Sequence, residues 1–451
     1  MIVREGPALA PEEAARRIAA GVDPIWISSP GHGNGEVDLG FDAVAADPAT
    51  VVTGDSLETL EKEWRAARRA WSTPGTAPGE EIPIAVGWLS YDLARSWIPL
   101  GGGAGSSPGP AATPIEFRFF DAVWVRRTGQ GTARILARDE TAAERLATRL
   151  GREPPRLARP RLGPLTAAAS SPVQARARHA AAVATIKQYL LDGDVYQVNL
   201  ARRLIAPVGA GDPLWISTTL RSWAPAPHAV WMGSRSPATD LDAPIDRYVV
   251  GNSPERFLRV STTGMIETQP IKGTRPRGAD SRADASSRLA LETSAKDRAE
   301  HVMIVDLERN DLGRVCQTGS VTVDGLLQVM ELPTVFHLVS TVRGLLRPEV
   351  GLAELVMATF PGGSVTGAPK RRAMQIIEEL EPVRRGVYTG ATGWLGGAGD
   401  LDLAVAIRTA VVASGQLTLF VGGGIVADSH PESEWAETEL KARAFSQLCQ
   451  S

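Results

Sequence analysis

Lys272 stands in Pro270-Ile-Lys-Gly-Thr274, between turn-forming residues. A lysine in a partly buried setting gives up its proton more readily, and the free amine attacks electrophilic carbon. A solvent-facing turn is the commoner home for a lysine, so the surrounding sequence must choose between the two. Near the C-terminus, Glu434, Glu437 and Lys441 recur at spacings of three and four, which places them on one helix face. Carboxylates without neighbouring His or Cys favour a hard, oxygen-seeking ion such as Mg²⁺. The same spacing also makes an ordinary salt-bridged, solvated face. Glu300, in Lys296-Asp-Arg-Ala-Glu-His301, would complete a metal site if its helix met that face.

Two glycine-rich stretches add to the inventory. Gly422-Gly-Gly424 bares successive backbone N–H groups to a carboxylate, or else marks a tight packing crossing. Pro361-Gly-Gly-Ser-Val-Thr-Gly-Ala-Pro-Lys370 has the glycine spacing of a phosphate loop. Ala-Pro-Lys follows where Gly-Lys-Ser/Thr is needed, so nucleotide binding is rejected there.

The elements that must carry these residues follow from periodicity and punctuation. Helices are predicted over Pro11 to Ala20, Val173 to Leu191, Ala283 to Glu308, Leu352 to Ala358, Ala368 to Leu380 and Glu432 to Phe445. Val183, Ile186 and Leu190 give the second its apolar stripe, and Gly193 just past its end is a C-terminal stop. Strands are predicted at Ile82 to Tyr91, with Gly87 at a close-packing point, and at Ile115 to Val125 paired with Ala133 to Ala137. Further β-type runs are Tyr248 to Gly251, Leu327 to Leu332 and Leu417 to Val421. Gly101 to Pro110 reads as a loop, and Gly151 to Pro172, rich in Pro, Arg and small residues, as a linker. That break divides an N-terminal α+β region, 1–165, from a C-terminal region, 166–451.

Composition excludes several classes. The chain has 451 residues, 43% of them hydrophobic, enough for a large core. A net charge of −3 gives no basic field for nucleic acid, and the arginines of Arg65-Ala-Ala-Arg-Arg69 read as a solvated helix face. Cys316 and Cys449 are the only cysteines, with no CxxC or HExxH spacing, so no zinc site is expected. The N-terminus lacks a signal-peptide pattern and no apolar run is long enough to span a bilayer. A cytoplasmic protein without membrane contact is expected.

In order and spacing, the blocks Gly193-Asp-Val-Tyr-Gln-Val-Asn-Leu200, Gly251-Asn-Ser-Pro-Glu-Arg-Phe-Leu258, Thr268 to Gly278, Lys296 to Gly313, Pro361 to Lys370, Gly386-Val-Tyr-Thr-Gly390, Ile407-Arg-Thr409, Gly422 to Val426 and Glu434 to Lys441 resemble the chorismate-binding enzymes. These are anthranilate synthase component I, aminodeoxychorismate synthase component I, and the isochorismate and salicylate synthases. The resemblance is strong from Gly193 onward and weak over the first 165 residues. Pro-Ile-Lys-Gly-Thr is similar to aminodeoxychorismate synthase component I, whereas anthranilate synthases usually carry Ala at the lysine position.

The resemblance implies an α+β fold, a large antiparallel β-sandwich flanked by helices with the site in a cleft, and the break near 165 need not separate spatial domains. It implies that Lys272 adds to C2 of chorismate as the C4 hydroxyl leaves, after which ammonia attacks C4 to give 4-amino-4-deoxychorismate, the precursor of 4-aminobenzoate and folate. Glu255 matches the general acid–base glutamate, and His337 a neighbour of the departing hydroxyl. Glu300 and Glu437 match Mg²⁺ ligands, with Glu434 in the same acidic cluster. Thr274, Tyr388, Arg408, Gly422, Gly423, Gly424 and Lys441 match substrate-holding positions. Gln197 stands where the hydroxylating members carry a lysine, which argues against isochorismate or salicylate synthesis. Neither cysteine has the Gly-rich setting of a glutaminase nucleophile, so ammonia is expected from a separate glutamine amidotransferase subunit or from solution. No room is expected for a fused lyase. Around Trp26-Ile-Ser-Ser-Pro30 the Leu-Leu-Glu-Ser stretch of tryptophan-inhibited anthranilate synthases is missing. Anthranilate synthase component I is the alternative, and an inactive metabolite-sensing module the third reading. The third would fit degraded Glu255, Lys272 or metal carboxylates, and all are intact.

Overall fold

The computed structural model describes residues 1–30, 40–71, 81–101, 113–168, 171–235 and 245–450. Its frame is a pair of antiparallel sheets, one of 12 strands and one of 10. Pro83–Leu89, Ile115–Phe119 and His228–Arg235 are buried at every position. Strands covered on both faces favour apolar residues without alternation, as in Pro83–Leu89, whereas Ile115–Phe119 buries the charged Glu116 and Arg118 as an ion pair. Ile25, Ile27 and Phe41 of the larger sheet share one hydrophobic cluster with Ile84, Val86 and Trp88 of the smaller. The two sheets are therefore held face to face by apolar burial. On the other side of the larger sheet, Ile18 of helix Pro11–Ile18 and Phe445 and Leu448 of helix Pro431–Gln450 enter a second cluster. The α+β architecture expected from the sequence is what the chain adopts.

Strands from either side of residue 165 interleave in both sheets. Ile25–Ser29 pairs with His228–Arg235 in the larger, and Pro83–Leu89 with Ala391–Gly396 in the smaller. Within the proline-rich break, Thr166–Ala167 adds a short strand to Gln197–Pro207.

Three local expectations need correction. Ile115 to Val125 is not one strand. Ile115–Phe119 pairs with Thr50–Gly54 and Pro83–Leu89, while Ala122–Arg127 pairs with Phe41–Ala45 and Ala133–Ala137. The chain changes sheets between them, and both halves are rich in β-branched and aromatic residues, so propensity does not mark the corner. Ala283 to Glu308 is likewise two helices, Ser281–Glu292 and Ala295–Gly313. Ser294 caps the second, its hydroxyl accepting from Asp297 N at 3.3 Å, which satisfies a donor that helix starts leave open. The helix placed from Ala368 begins at Lys370, directly after Pro369. The loop read at Gly101 to Pro110 lies, from residue 102 on, outside the described residues. Gly87 is where a glycine must be: a Cβ there would stand 2.0 Å from the Glu116 carbonyl oxygen.

Candidate active site

Lys272 enters the cleft from strand Ile271–Pro276, whose pairing with Val335–Leu345 breaks register between Lys272 and Thr274. Gly273, at φ +75°, takes the left-handed conformation there. The residue is half-buried overall, and its Nζ donates to the Ser364 carbonyl oxygen at 3.2 Å. Burial holds the ammonium below the usual lysine pKa, with Glu300 pulling the other way and Lys441 reinforcing it.

Glu255, 4% exposed, follows strand Ile245–Ser253 and accepts from the Ser364 hydroxyl through Oε1 at 2.5 Å. Burial pushes its pKa up to about 7, against smaller lowering by that hydroxyl and by Lys272. Ser364 thus touches both groups, its hydroxyl on the acid and its carbonyl on the amine. The Pro361–Lys370 segment that carries it is anchored from helix Ala295–Gly313. Glu308 Oε1 accepts from Gly363 N at 2.8 Å, and Asp311 Oδ2 takes Lys370 Nζ at 2.6 Å. Lys370 also donates to the Thr359 carbonyl at 2.8 Å, so it is spent on packing, in keeping with the rejection of a phosphate loop.

The acidic residues arrive from two helices. Glu300 and Lys296 share a face of Ala295–Gly313; Glu434, Glu437 and Lys441 share a face of Pro431–Gln450. Lys296 Nζ lies 3.8 Å from Glu300 Oε1 and 3.6 Å from Glu434 Oε1, so the helices do meet. Lys441 Nζ is 2.6 Å from Glu437 Oε1 and donates to the Gly422 carbonyl at 2.7 Å. Glu300 and Glu437 line the cleft; Glu434 is buried behind, accepting from Ser429 Oγ at 2.6 Å. As the side chains stand, no group of three or more His, Cys, Asp or Glu among the described residues closes on a metal position, because lysines face these carboxylates instead. The donor chemistry nevertheless fits a hard cation, and Glu300 Oε1 is buried without a hydrogen-bond partner.

Opposite lie Tyr388 and Arg408. Arg408 donates to the Lys441 carbonyl at 3.0 Å and sits at φ +51°, with Thr389 beside Tyr388 at φ +59°. A non-glycine residue there costs roughly 1–2 kcal/mol, which the buried surroundings must offset to keep the side chain aimed. Burial pushes the Tyr388 hydroxyl upward and pulls the Arg408 guanidinium downward. The glycines of Gln416–Ile425 keep this wall close. A Cβ on Gly422 would meet the Leu200 carbonyl oxygen at 2.6 Å and Tyr388 OH at 3.0 Å, and one on Gly423 would meet Glu434 and Glu437 at 3.4 Å. Gly422 and Gly424 line the cleft, while Gly423 faces the acidic helix. His337 Nδ1 is 3.0 Å from Thr274 Oγ1, and burial holds the imidazole neutral with a pKa of about 4. Gln197, wholly buried, lies against Gly424 with neither amide atom hydrogen-bonded.

Among the residues named from sequence for the site, Gly423, Glu434 and Gln197 stand back from the cleft surface. Sequence reasoning missed Ser364, Lys296 and Asn199, all of which line it. Ser364 and Lys296 were in view inside recognised blocks, but a carbonyl contact and a bridging ammonium leave no trace in residue type.

The profile of the family described as chorismate binding enzyme matches residues 24–447. The chain belongs to the chorismate-binding enzymes. It is 46% identical over 266 residues to aminodeoxychorismate synthase of Streptomyces pristinaespiralis, covering 59% of this chain and 36% of that protein. It is 39% identical over 374 residues to anthranilate synthase component 1 of Pseudomonas aeruginosa, covering 80% and 73%. The chloroplastic aminodeoxychorismate synthase of Arabidopsis thaliana is 35% identical over 381 residues, 81% of this chain and 40% of that one. The chain thus spans between about a third and a half of the length of several curated relatives it matches. Among solved chorismate-binding enzymes, anthranilate synthase component I from Streptococcus pneumoniae aligns at TM-score 0.74 and 26% identity over 99% of both chains. No helix among the described residues is long and apolar enough to cross a membrane.

Proposed function

We propose that this protein aminates chorismate at C4, giving 4-amino-4-deoxychorismate through a covalent Lys272 adduct, with ammonia delivered by a separate glutaminase in the cytoplasm for 4-aminobenzoate and folate synthesis. The observation that carries the reading is an enclosed amine, Lys272, joined through Ser364 to a glutamic acid whose pKa is near 7. In the first step Lys272 Nζ, un-ionised, bonds to C2 as the C4–O bond breaks and both double bonds of the ring diene shift, C1=C2 to C1=C6 and C5=C6 to C4=C5. Glu255 gives its proton to the departing hydroxyl, which leaves as water, and takes back the proton that the new C2 ammonium sheds. Ammonia then bonds to C4, the diene shifts back as the C2–N bond breaks, and the lysine leaves as a free amine with the proton that Glu255 returns, while the new C4 ammonium gives up one of its own. Arg408 and Tyr388 hold one carboxylate of the substrate, and His337, neutral, hydrogen-bonds near the leaving oxygen. A Mg²⁺ held by Glu300 and Glu437, with Glu434 behind, would neutralise the ring carboxylate and draw electron density toward it.

Anthranilate synthesis is the second reading, favoured by the match to the Pseudomonas aeruginosa relative, which covers 73% of that protein against 36% and 40% of the two aminodeoxychorismate synthases. The two part at the product. The protein incubated with chorismate, Mg²⁺ and ammonium is expected to yield a species that keeps the enolpyruvyl group and gains one nitrogen. Release of pyruvate with a fluorescent aminobenzoate would replace the proposal with its alternative.

Ser364→Ala gives a finer check. Its hydroxyl stabilises the Glu255 carboxylate, so its loss favours the protonated form and moves the Glu255 pKa upward from about 7. Activity that needs the acid form falls as pH rises through that value. The alkaline limb of kcat/KM is therefore expected to shift to higher pH in Ser364→Ala and to return in Ser364→Thr. An unmoved limb would remove Glu255 from the role of acid.

A further inference from the structure

The cleft shares one wall residue, Phe420, with a larger cavity of about 420 Å³, against about 170 Å³ for the cleft itself. Helix Pro172–Leu191, strand Gln197–Pro207 and the segment Glu379 to Val383 enclose it. Ala181, Ala182, Leu200, Pro382, Val383 and Phe420 give it an apolar lining. Its charges are unbalanced. Of the two carboxylates in the lining, Glu379 accepts from the Tyr189 hydroxyl at 2.9 Å, and Glu381 takes the fork of Arg385 at 2.6 and 2.9 Å. Arg202 faces Glu439. The guanidiniums of Arg178, which is exposed, and Arg203, also in the lining, have no hydrogen-bond or ion-pair partner among the described residues, and Arg203 Nε is buried. His179 adds a buried ring nitrogen, Nδ1, likewise unpartnered, on an imidazole that burial keeps neutral with a pKa of about 4.

An apolar slot edged by two guanidiniums that pair no carboxylate, with the charge of Glu379 held by a hydroxyl alone, suits a flat ring bearing an anionic group. The ring replaces water on the alanine and proline surface, and a guanidinium pairs a carboxylate through two N–H groups. The cavity is also tied to the cleft. Phe420 stacks on Tyr388 with ring centroids 5.5 Å apart and planes 15° from parallel. Arg385, gripped by Glu381, donates to the carbonyls of Val365 at 2.9 Å and Asn199 at 2.7 Å, and both of those residues line the cleft.

We propose that this cavity is a second binding site, for a small aromatic carboxylate, and that its occupancy changes the affinity of the neighbouring cleft for chorismate. The proposal stands whichever amination the cleft performs, because its test reads binding.

Calorimetric titration of the full chain with benzoate is expected to saturate. Benzyl alcohol, which lacks the charge, should bind about tenfold more weakly or worse. Arg203→Met should weaken benzoate by about tenfold and Ala182→Trp, which fills the slot, should abolish it. Chorismate should not displace benzoate, and its own dissociation constant should change about fivefold when benzoate is saturating. The proposal is overturned by absent or non-saturating benzoate binding, by competition with chorismate, by wild-type affinity in Arg203→Met, or by an unchanged chorismate affinity. If Ala182→Trp does not fold, Arg203→Met decides alone.

Discussion

Lys272→Ala is expected to lower 4-amino-4-deoxychorismate formation by about 10³-fold or more, the scale seen when a covalent nucleophile is removed. Chorismate binding should survive, because the proposed carboxylate contacts of Arg408, Tyr388 and Lys441 remain in the cleft. Mass spectrometry of enzyme quenched with chorismate in the absence of ammonia supplies an independent readout. Wild type should carry a covalent adduct that the variant lacks. The amine is also the member of the cleft whose protonation most needs control. Burial and Lys441 push it toward the free base, while Glu300, Glu255 and Glu437 hold the proton on. A variant that neutralises one of those carboxylates should make Lys272 easier to deprotonate. Turnover of aminodeoxychorismate at the wild-type rate in Lys272→Ala would leave the lysine without a chemical role.

Glu437→Gln is expected to cost about 10²-fold in activity at fixed Mg²⁺, with loss partly recovered as Mg²⁺ is raised. Its carboxylate lines the cleft and is held below the ordinary glutamate pKa mainly by Lys441, so it is ionised and available at neutral pH. EDTA should abolish wild-type turnover, and Mn²⁺ binding followed by its paramagnetic signal should weaken in the variant. The lysines matter to the outcome. Lys296 and Lys441 lie within 4 Å of these carboxylates, so a metal ion would compete with them for the same oxygens. Full activity in EDTA would discard the metal assignment and leave the carboxylates as counter-ions of the two lysines.

The sequence located the candidate groups well because their residue types and short spacings are legible in it. The i, i+3, i+7 placement of Glu434, Glu437 and Lys441 obliges one helix face whatever the rest of the chain does. Gly87 and Gly193 announced a close approach and a helix end through the lack of a side chain, and both stand so. The ordered blocks located Glu255, Lys272, Tyr388 and Arg408, which the fold gathers around one cleft. Local signals failed where two segments share a composition but not a destination. Ile115–Phe119 and Ala122–Arg127 are both rich in β-branched and aromatic residues, yet they belong to different sheets. The break at Ser294 needed a cap whose worth depends on the turn around it.

By itself, then, the chain's order of residues determined which groups could react and which helix faces would carry acid and base. Only tertiary packing decided what they meet. Ser364 joins Glu255 to Lys272 across 109 and 92 residues of sequence, and the helices of Glu300 and Glu434 approach closely enough for Lys296 to bridge them. Burial, the largest influence on both Lys272 and Glu255, is a property of everything folded around them rather than of their neighbours in the chain.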